Sequence, residues 1–152
     1  MLIRPIEPAD IPAAAALLRR AAQTYILPAA SPEDGAAFLA DQGEDKLRSR
    51  IDEGYAYHVA LVDGALAGFI GVRGRTHLYG LYVDAAWHRR GTARRLWQSA
   101  RDAALAGGPA HPGVFTVNAS DYAVPLYEAL GFVSSGPRQV RLLPYQPMAL
   151  TV

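Results

Sequence analysis

Residues 87–96 read Trp-His-Arg-Arg-Gly-Thr-Ala-Arg-Arg-Leu, four arginines around one glycine and two other small residues. Positive charge beside so little side chain describes a place for an anion. The first turn of a helix has unpaired N–H groups and the positive end of the helix dipole. Gly91 and Ala93 leave those groups uncovered. A strand reads just upstream, His77 to Val83, so the turn joins a strand end to a helix start. Such a turn suits a diphosphate better than a lone carboxylate. It is not a P-loop, since no Gly-Lys-Ser/Thr follows, and Gly-x-Gly-x-x-Gly spacing is absent. The plainer reading is a glycine cap on a solvated helix. A nucleic-acid face has the charge but would want interleaved aromatic residues, and Trp87 and Trp97 fit better in a core.

The elements that must hold this turn follow from periodicity and punctuation. Leu2–Ile6 reads as a strand. Asp10 caps a helix running from Ile11 to about Tyr25, which Pro28 stops. Ser31-Pro32-Glu33-Asp34 starts a second helix, broken near Gly43, with a further piece to Glu53. Tyr55–Val62 and Ala65–Arg73 flank Asp63-Gly64, a two-residue hairpin signal. The basic turn opens a helix from Gly91 to about Leu105, with Ala93, Leu96, Trp97, Ala100 and Ala104 on one apolar stripe. Val114–Val117 is a short buried strand. A helix capped by Ser120 or Asp121 ends at Gly131. Two last strands cover Phe132–Ser135 and about Leu142–Leu150, and Pro144 and Pro147 suggest an edge or a bulge in the second. The order is β-α-α-β-β-β-α-β-α-β-β, about seven strands and four helices in a mixed α/β (α+β) fold.

Composition narrows the classes. The 152 residues are enough for one domain, taken as 1–152, and 51% are hydrophobic, so a packed core is expected. There is no cysteine, which removes disulfides, thiolate metal sites and a cysteine nucleophile and fits a reducing compartment. The first residues lack a signal peptide's apolar core, and no apolar run approaches a membrane span. A cytoplasmic location, no membrane and no metal are expected. The net charge of +1 hides two segments. Residues 73–101 hold seven arginines against Asp84 alone. Residues 33–53 hold seven acids against three bases.

Two motifs carry a resemblance. Leu81-Tyr82-Val83-Asp84, three residues, then His88-Arg89-Arg90-Gly91-Thr92-Ala93 looks like the acetyl-CoA signature of the GNAT superfamily N-acetyltransferases, with His88 where the family usually has Gln or Arg. Asn118, Ala123, Tyr127 and Gly131-Phe132 are similar to that family's closing motif. The element order resembles its acyl-CoA N-acyltransferase fold over the whole chain, a twisted, mostly antiparallel sheet flanked by helices. The resemblance implies acetyl-CoA or CoA as cofactor. Backbone groups of Leu81, Tyr82 and Val83 would pair with its pantetheine arm. Amides from Arg89 through Arg90, Gly91, Thr92 and Ala93 to Arg94, beside His88, would hold the pyrophosphate. Asn118 or Ser120 would touch the arm from the next strand, and Tyr127 would sit beside the sulfur.

The implied reaction is acetyl transfer from the thioester directly to a primary amine of a small molecule or a peptide. Tyr127 would hydrogen-bond the sulfur as charge develops, with proton transfer late or shared. A backbone N–H near Val83 would receive the charge on the carbonyl oxygen. His77, on the strand leading to Leu81, is the candidate base, with water leading to bulk solvent as the alternative. Tyr25, Phe38 and Tyr79 would line the acceptor side, and the acidic segment there suggests a cationic amine. Two other functions compete: a catalytically silent acyl-CoA-binding regulatory module on the same fold, and a basic nucleic-acid binder, the less favoured. Nucleic acid is not an expected partner. Monomer and homodimer both stay open.

Overall fold

The computed structural model describes residues 1–152. The chain builds one eight-stranded sheet in the order β1-β2-β3-β4-β5-β8-β6, with β7 paired to β8. The strands are β1 (Leu2–Pro5), β2 (Ala56–Val62), β3 (Ala65–Arg73), β4 (His77–Val83), β5 (Val114–Ala119), β6 (Val133–Ser134), β7 (Gln139–Val140) and β8 (Pro144–Thr151). The helices are α1 (Ile11–Ala21), α2 (Pro32–Ala40), α3 (Glu44–Asp52), α4 (Thr92–Ala106) and α5 (Val124–Ala129). All strand pairs are antiparallel except β4 with β5.

Local signals explain most boundaries. Asp63 and Gly64 both adopt positive φ, 50° and 80°, which the two-residue turn between β2 and β3 requires. Ser31 accepts the Asp34 N–H and caps α2. Gly43 stands between α2 and α3 in an extended conformation, so the broken second helix is two helices. The first helix does not run to Tyr25 as one regular element. It passes into a wider turn at Ala22–Ile26 and then a tight turn at Leu27–Ala29.

The final strand is neither an edge nor weakly paired. β8 lies between β5 and β6 and matches β5 along six residues, Val114↔Thr151 to Ala119↔Gln146. Proline costs a strand only its donor. Pro147 still accepts the Ser135 N–H at 3.0 Å through its carbonyl.

Two apolar layers cover the sheet. On one face α4 buries Leu96, Trp97, Ala100 and Ala104 against Phe115, Val117 and Phe132. Trp97 meets Phe115 and Phe132 edge-on. On the other face α1 and α3 bury Ile11, Ala14, Leu17 and Leu47 against Tyr57, Val59 and Phe69. Here β3 must be smooth. A Cβ on Gly71 would lie 2.8 Å from Tyr57 Cζ, under a buried ring. Gly71→Ala is therefore expected to overpack the layer by about 1–3 kcal/mol. A melting point lowered by about 3–10 °C would show it, and an unchanged one would refute the packing argument.

Candidate active site

The site is a place where the sheet comes apart. β4 and β5 are in register only at His77↔Thr116 and Leu78↔Val117. Beyond Leu78 they separate, and the far half of β4 loses its neighbour on that side. The ladder with β3 decides which groups are left over. Asp84 donates to Ala67 O, and Val83 faces Gly68. Antiparallel pairs alternate in hydrogen bonding, so Tyr82 bonds to Phe69, while Leu81 and Val83 turn their N–H and C=O toward the gap. The expectation that all three residues offer backbone groups is corrected: Tyr82 spends its groups on β3.

At the mouth of this gap α4 begins. Gly91 is its N-cap, with φ 76° and no side chain to close the helix end. Arg89 is also left-handed, φ 60°. None of the six amides from Arg89 to Arg94 bonds to a backbone carbonyl, and the first to do so is Arg95, donating to Gly91 O at 3.0 Å. Six consecutive free amides at the positive end of a fifteen-residue helix form a strong anion cradle.

The gap and the cradle open into one cleft of about 900 Å³. Leu81, Tyr82 and Val83 form its floor; His88, Arg89, Gly91, Thr92, Ala93 and Arg94 form one end. Ser120 lies on its wall, whereas Asn118 is exposed on β5 and does not. The strand's period of two explains the difference, since Val117 and Ala119 point into the core. Arg90 also lies off the cleft: its guanidinium sits 5.1 Å over the Trp87 ring. His88 Nε2 is 2.8 Å from Val83 O, so its ring covers one of the two free carbonyls of β4. Sequence reasoning missed the apolar wall of Leu126, Ala129 and Leu130, although their spacing on α5 marks a single helix face.

Tyr127 is buried between that wall and the core and meets Phe132 edge-on. Burial pushes its phenol pKa well up. Its side chain is not on the cleft wall. The one sealed side-chain polar atom without a partner is His58 Nδ1, so the Tyr127 hydroxyl, which has no partner in the chain, keeps some access to solvent.

A second cavity, about 160 Å³, adjoins the cleft, and Tyr82 lines both. Phe38 and Tyr79 lie on its wall. Tyr25 does not. It belongs to the cleft, stacked on Tyr122 with ring centroids 4.3 Å apart. His77 lines neither space. Its Nδ1 is 2.8 Å from Thr116 Oγ1, and it stands at the opposite end of β4 from Val83, roughly 13 Å of strand before Leu81. Burial, aided by Arg73, lowers its pKa. The geometry removes it as a base for chemistry in the cleft. No group of three or more metal-ligating side chains is present. No helix is long and apolar enough to cross a membrane.

The chain is thus a mixed α/β fold whose sheet splits between two parallel strands beside a free helix start. The acetyltransferase (GNAT) domain family matches residues 26–152, and the chain belongs to the GNAT acetyltransferase family. A GCN5-related N-acetyltransferase of Rhodopseudomonas palustris is similar over 99% of this chain and 95% of its own, with TM-score 0.84 and 25% identity. The PaiA N-acetyltransferase of Thermoplasma acidophilum, solved in complex with coenzyme A, shares the fold at TM-score 0.83 and 16% identity, covering 99% and 98%. The aminoglycoside 6'-N-acetyltransferase of Enterococcus faecium shares it at TM-score 0.72 and 17% identity, covering 99% and 97%. No curated protein matches the chain by sequence.

Proposed function

We propose that the protein is an acetyl-CoA-dependent N-acetyltransferase acting on a primary amine. The observation that carries this reading is the run of six free amides beginning α4 at the point where β4 and β5 part. A pyrophosphate fits that run, because each amide is a donor without an acceptor and the helix dipole adds to them. Arg89 and Arg94 add charge at the same end of the cleft. The free N–H and C=O of Leu81 and the free N–H of Val83 suit an amide-bearing arm laid along the strand edge. Membership in the GNAT family and the coenzyme A complex of the Thermoplasma protein support the same choice of cofactor.

Bound acetyl-CoA would supply an acetyl group activated as a thioester. The chain's own groups do the rest. The Val83 N–H, aimed into the gap, is placed to receive negative charge on a carbonyl oxygen. The phenol of Tyr127 holds its proton at neutral pH, since burial raises its pKa, and can donate to sulfur as charge develops there. With His77 out of reach, the surplus proton of the amine leaves through water at the open cleft. The acceptor's body occupies the smaller cavity, and Tyr82 marks the boundary where amine and thioester meet.

The test is ligand binding followed by turnover. Acetyl-CoA and CoA at saturating concentration are expected to raise the melting point by several degrees, as binding at 100 times Kd contributes about 2.7 kcal/mol, while nucleic acid does not. Release of thiol in the presence of amines then separates an enzyme from a silent acyl-CoA-binding module. No shift with either CoA compound would refute the reading.

A further inference from the structure

The smaller cavity also says what kind of amine it takes; this rests on the transferase reading above and deepens it. Its walls are Phe38, Leu47, Tyr57, Phe69, Tyr79 and Tyr82, with short aliphatic groups between them. Its volume, about 160 Å³, is close to the roughly 150 Å³ that accepts a benzene ring. An aromatic ring or a branched aliphatic chain fills it.

The charge on the walls has one sign. No carboxylate lines the cavity, and Arg50 is the only ionised residue there. The acidic segment that suggests a cationic acceptor puts no carboxylate on these walls, and three of its seven acids are paired with bases. Glu44 and Asp45 pair with Arg48, and Asp41 pairs with Arg50 and Lys46 from outside the cavity. Arg50 itself is fixed: it donates to Asp41 O at 2.9 Å and Asp41 Oδ2 at 3.1 Å, and its guanidinium lies 4.7 Å over the Tyr79 ring. Its Nε–H makes no bond within the chain, and its contact with Gln42 Oε1 is long, 3.4 Å, so donors remain for a ligand. Burial raises the phenol pKa of Tyr57, Tyr79 and Tyr82; the positive charge of Arg50 opposes the rise at all three, and the Asp41 carboxylate adds to it at Tyr79 alone. The field of Arg50 therefore reaches across the cavity. A second ammonium placed here would lose water and meet no carboxylate on the wall, the nearest one, Asp41, being held by Arg50.

We propose that the acceptor is a small amino acid with an apolar side chain, which fills the cavity between Phe38 and Tyr82 while its carboxylate meets Arg50. In the reaction its free amine nitrogen bonds to the acetyl carbon as the carbon–sulfur bond breaks. The acceptor's ammonium has given one proton to water beforehand; after attack the nitrogen gives up one more, a proton reaches sulfur, and one stays on nitrogen, giving an N-acetylamino acid and the CoA thiol. Polyamines and aminoglycosides, which carry several ammonium groups, are poor fits.

Initial rates of thiol release with L-phenylalanine, L-leucine, phenethylamine, spermidine and kanamycin test this. The better amino acid is expected to exceed spermidine and kanamycin in kcat/KM by at least about 100-fold. Phenethylamine, which has the body of phenylalanine but no carboxylate, should fall about tenfold below it. Arg50→Gln should raise KM for the amino acid about tenfold or more and change that for phenethylamine by less than about threefold, with Arg50→Lys recovering part of the loss. The acetyl-CoA-induced rise in melting point, measured on each variant, shows that fold and cleft persist. A preference for spermidine or kanamycin, equal KM losses for both amines in Arg50→Gln, or no turnover of the apolar amines by protein that binds acetyl-CoA would each overturn the proposal and spare the cofactor site. Failure to bind acetyl-CoA would instead remove the transferase reading beneath it.

Discussion

Tyr127→Phe is expected to lower kcat by roughly 10–100-fold while the Kd for CoA changes by less than about threefold. The size follows from losing one hydrogen bond to a developing charge, worth about 1.5–3 kcal/mol. Cofactor affinity should survive because the amides from Arg89 to Arg94 are distant in the chain and untouched. The fold should survive because the ring that meets Phe132 remains. Burial raises the Tyr127 phenol pKa, and the hydroxyl must be protonated to act. Any fall in kcat from its ionisation therefore lies above the pH of about 10 where a free phenol titrates. The wild-type profile should stay level or rise up to pH 9. Equal losses in kcat and affinity, or no loss at all, would remove Tyr127 from the chemistry and leave it as a core aromatic.

Ala93→Asp should separate stability from binding. Ala93 is the second residue of α4 and lines the cradle. An acid in the first turn of a helix stabilises it by about 0.3–1 kcal/mol, so the melting point without ligand should hold or rise by up to about 4 °C. The same carboxylate would stand against a pyrophosphate. Two unit charges at 4 Å interact by about 4 kcal/mol at an effective dielectric of 20, and salt reduces that. A CoA affinity about 100-fold weaker is the expected result, with Ala93→Asn much less affected. Calorimetric titration of both variants decides it. Unaltered CoA binding by Ala93→Asp would place the phosphates elsewhere.

Much of the fold was legible because its signals are local. Asp63-Gly64 specifies its turn through two residues that tolerate positive φ, and Ser31 specifies a helix start through one side-chain bond. The stripe from Leu96 to Ala104 specifies which face of α4 is buried. The final strand was harder. Pro144 and Pro147 read as edge residues, yet β8 is internal, since pairing depends on partners supplied by β5 and β6.

The cradle was legible for the same reason as the turns. Whether amides at a helix start are covered depends on the residues at that start, and Gly91 and Ala93 stand there in the sequence. The acceptor side was not. Tyr25 and Tyr79, both expected on the acceptor side, lie on different cavities, and His77, the candidate base, lies at the far end of its strand from Val83. Arg50 gave no signal, being one base among three in an acidic segment.

The sequence by itself determined the element order, the buried helix face and the uncovered amides, because each rests on residues within a few positions of one another. Only the tertiary structure decided where β4 and β5 part, which backbone groups of β4 stay free, and that Arg50 is the sole charge in the smaller cavity. Those depend on strands and helices distant in the chain, and hydrogen-bond alternation and electrostatic pairing become defined only when such elements are brought together.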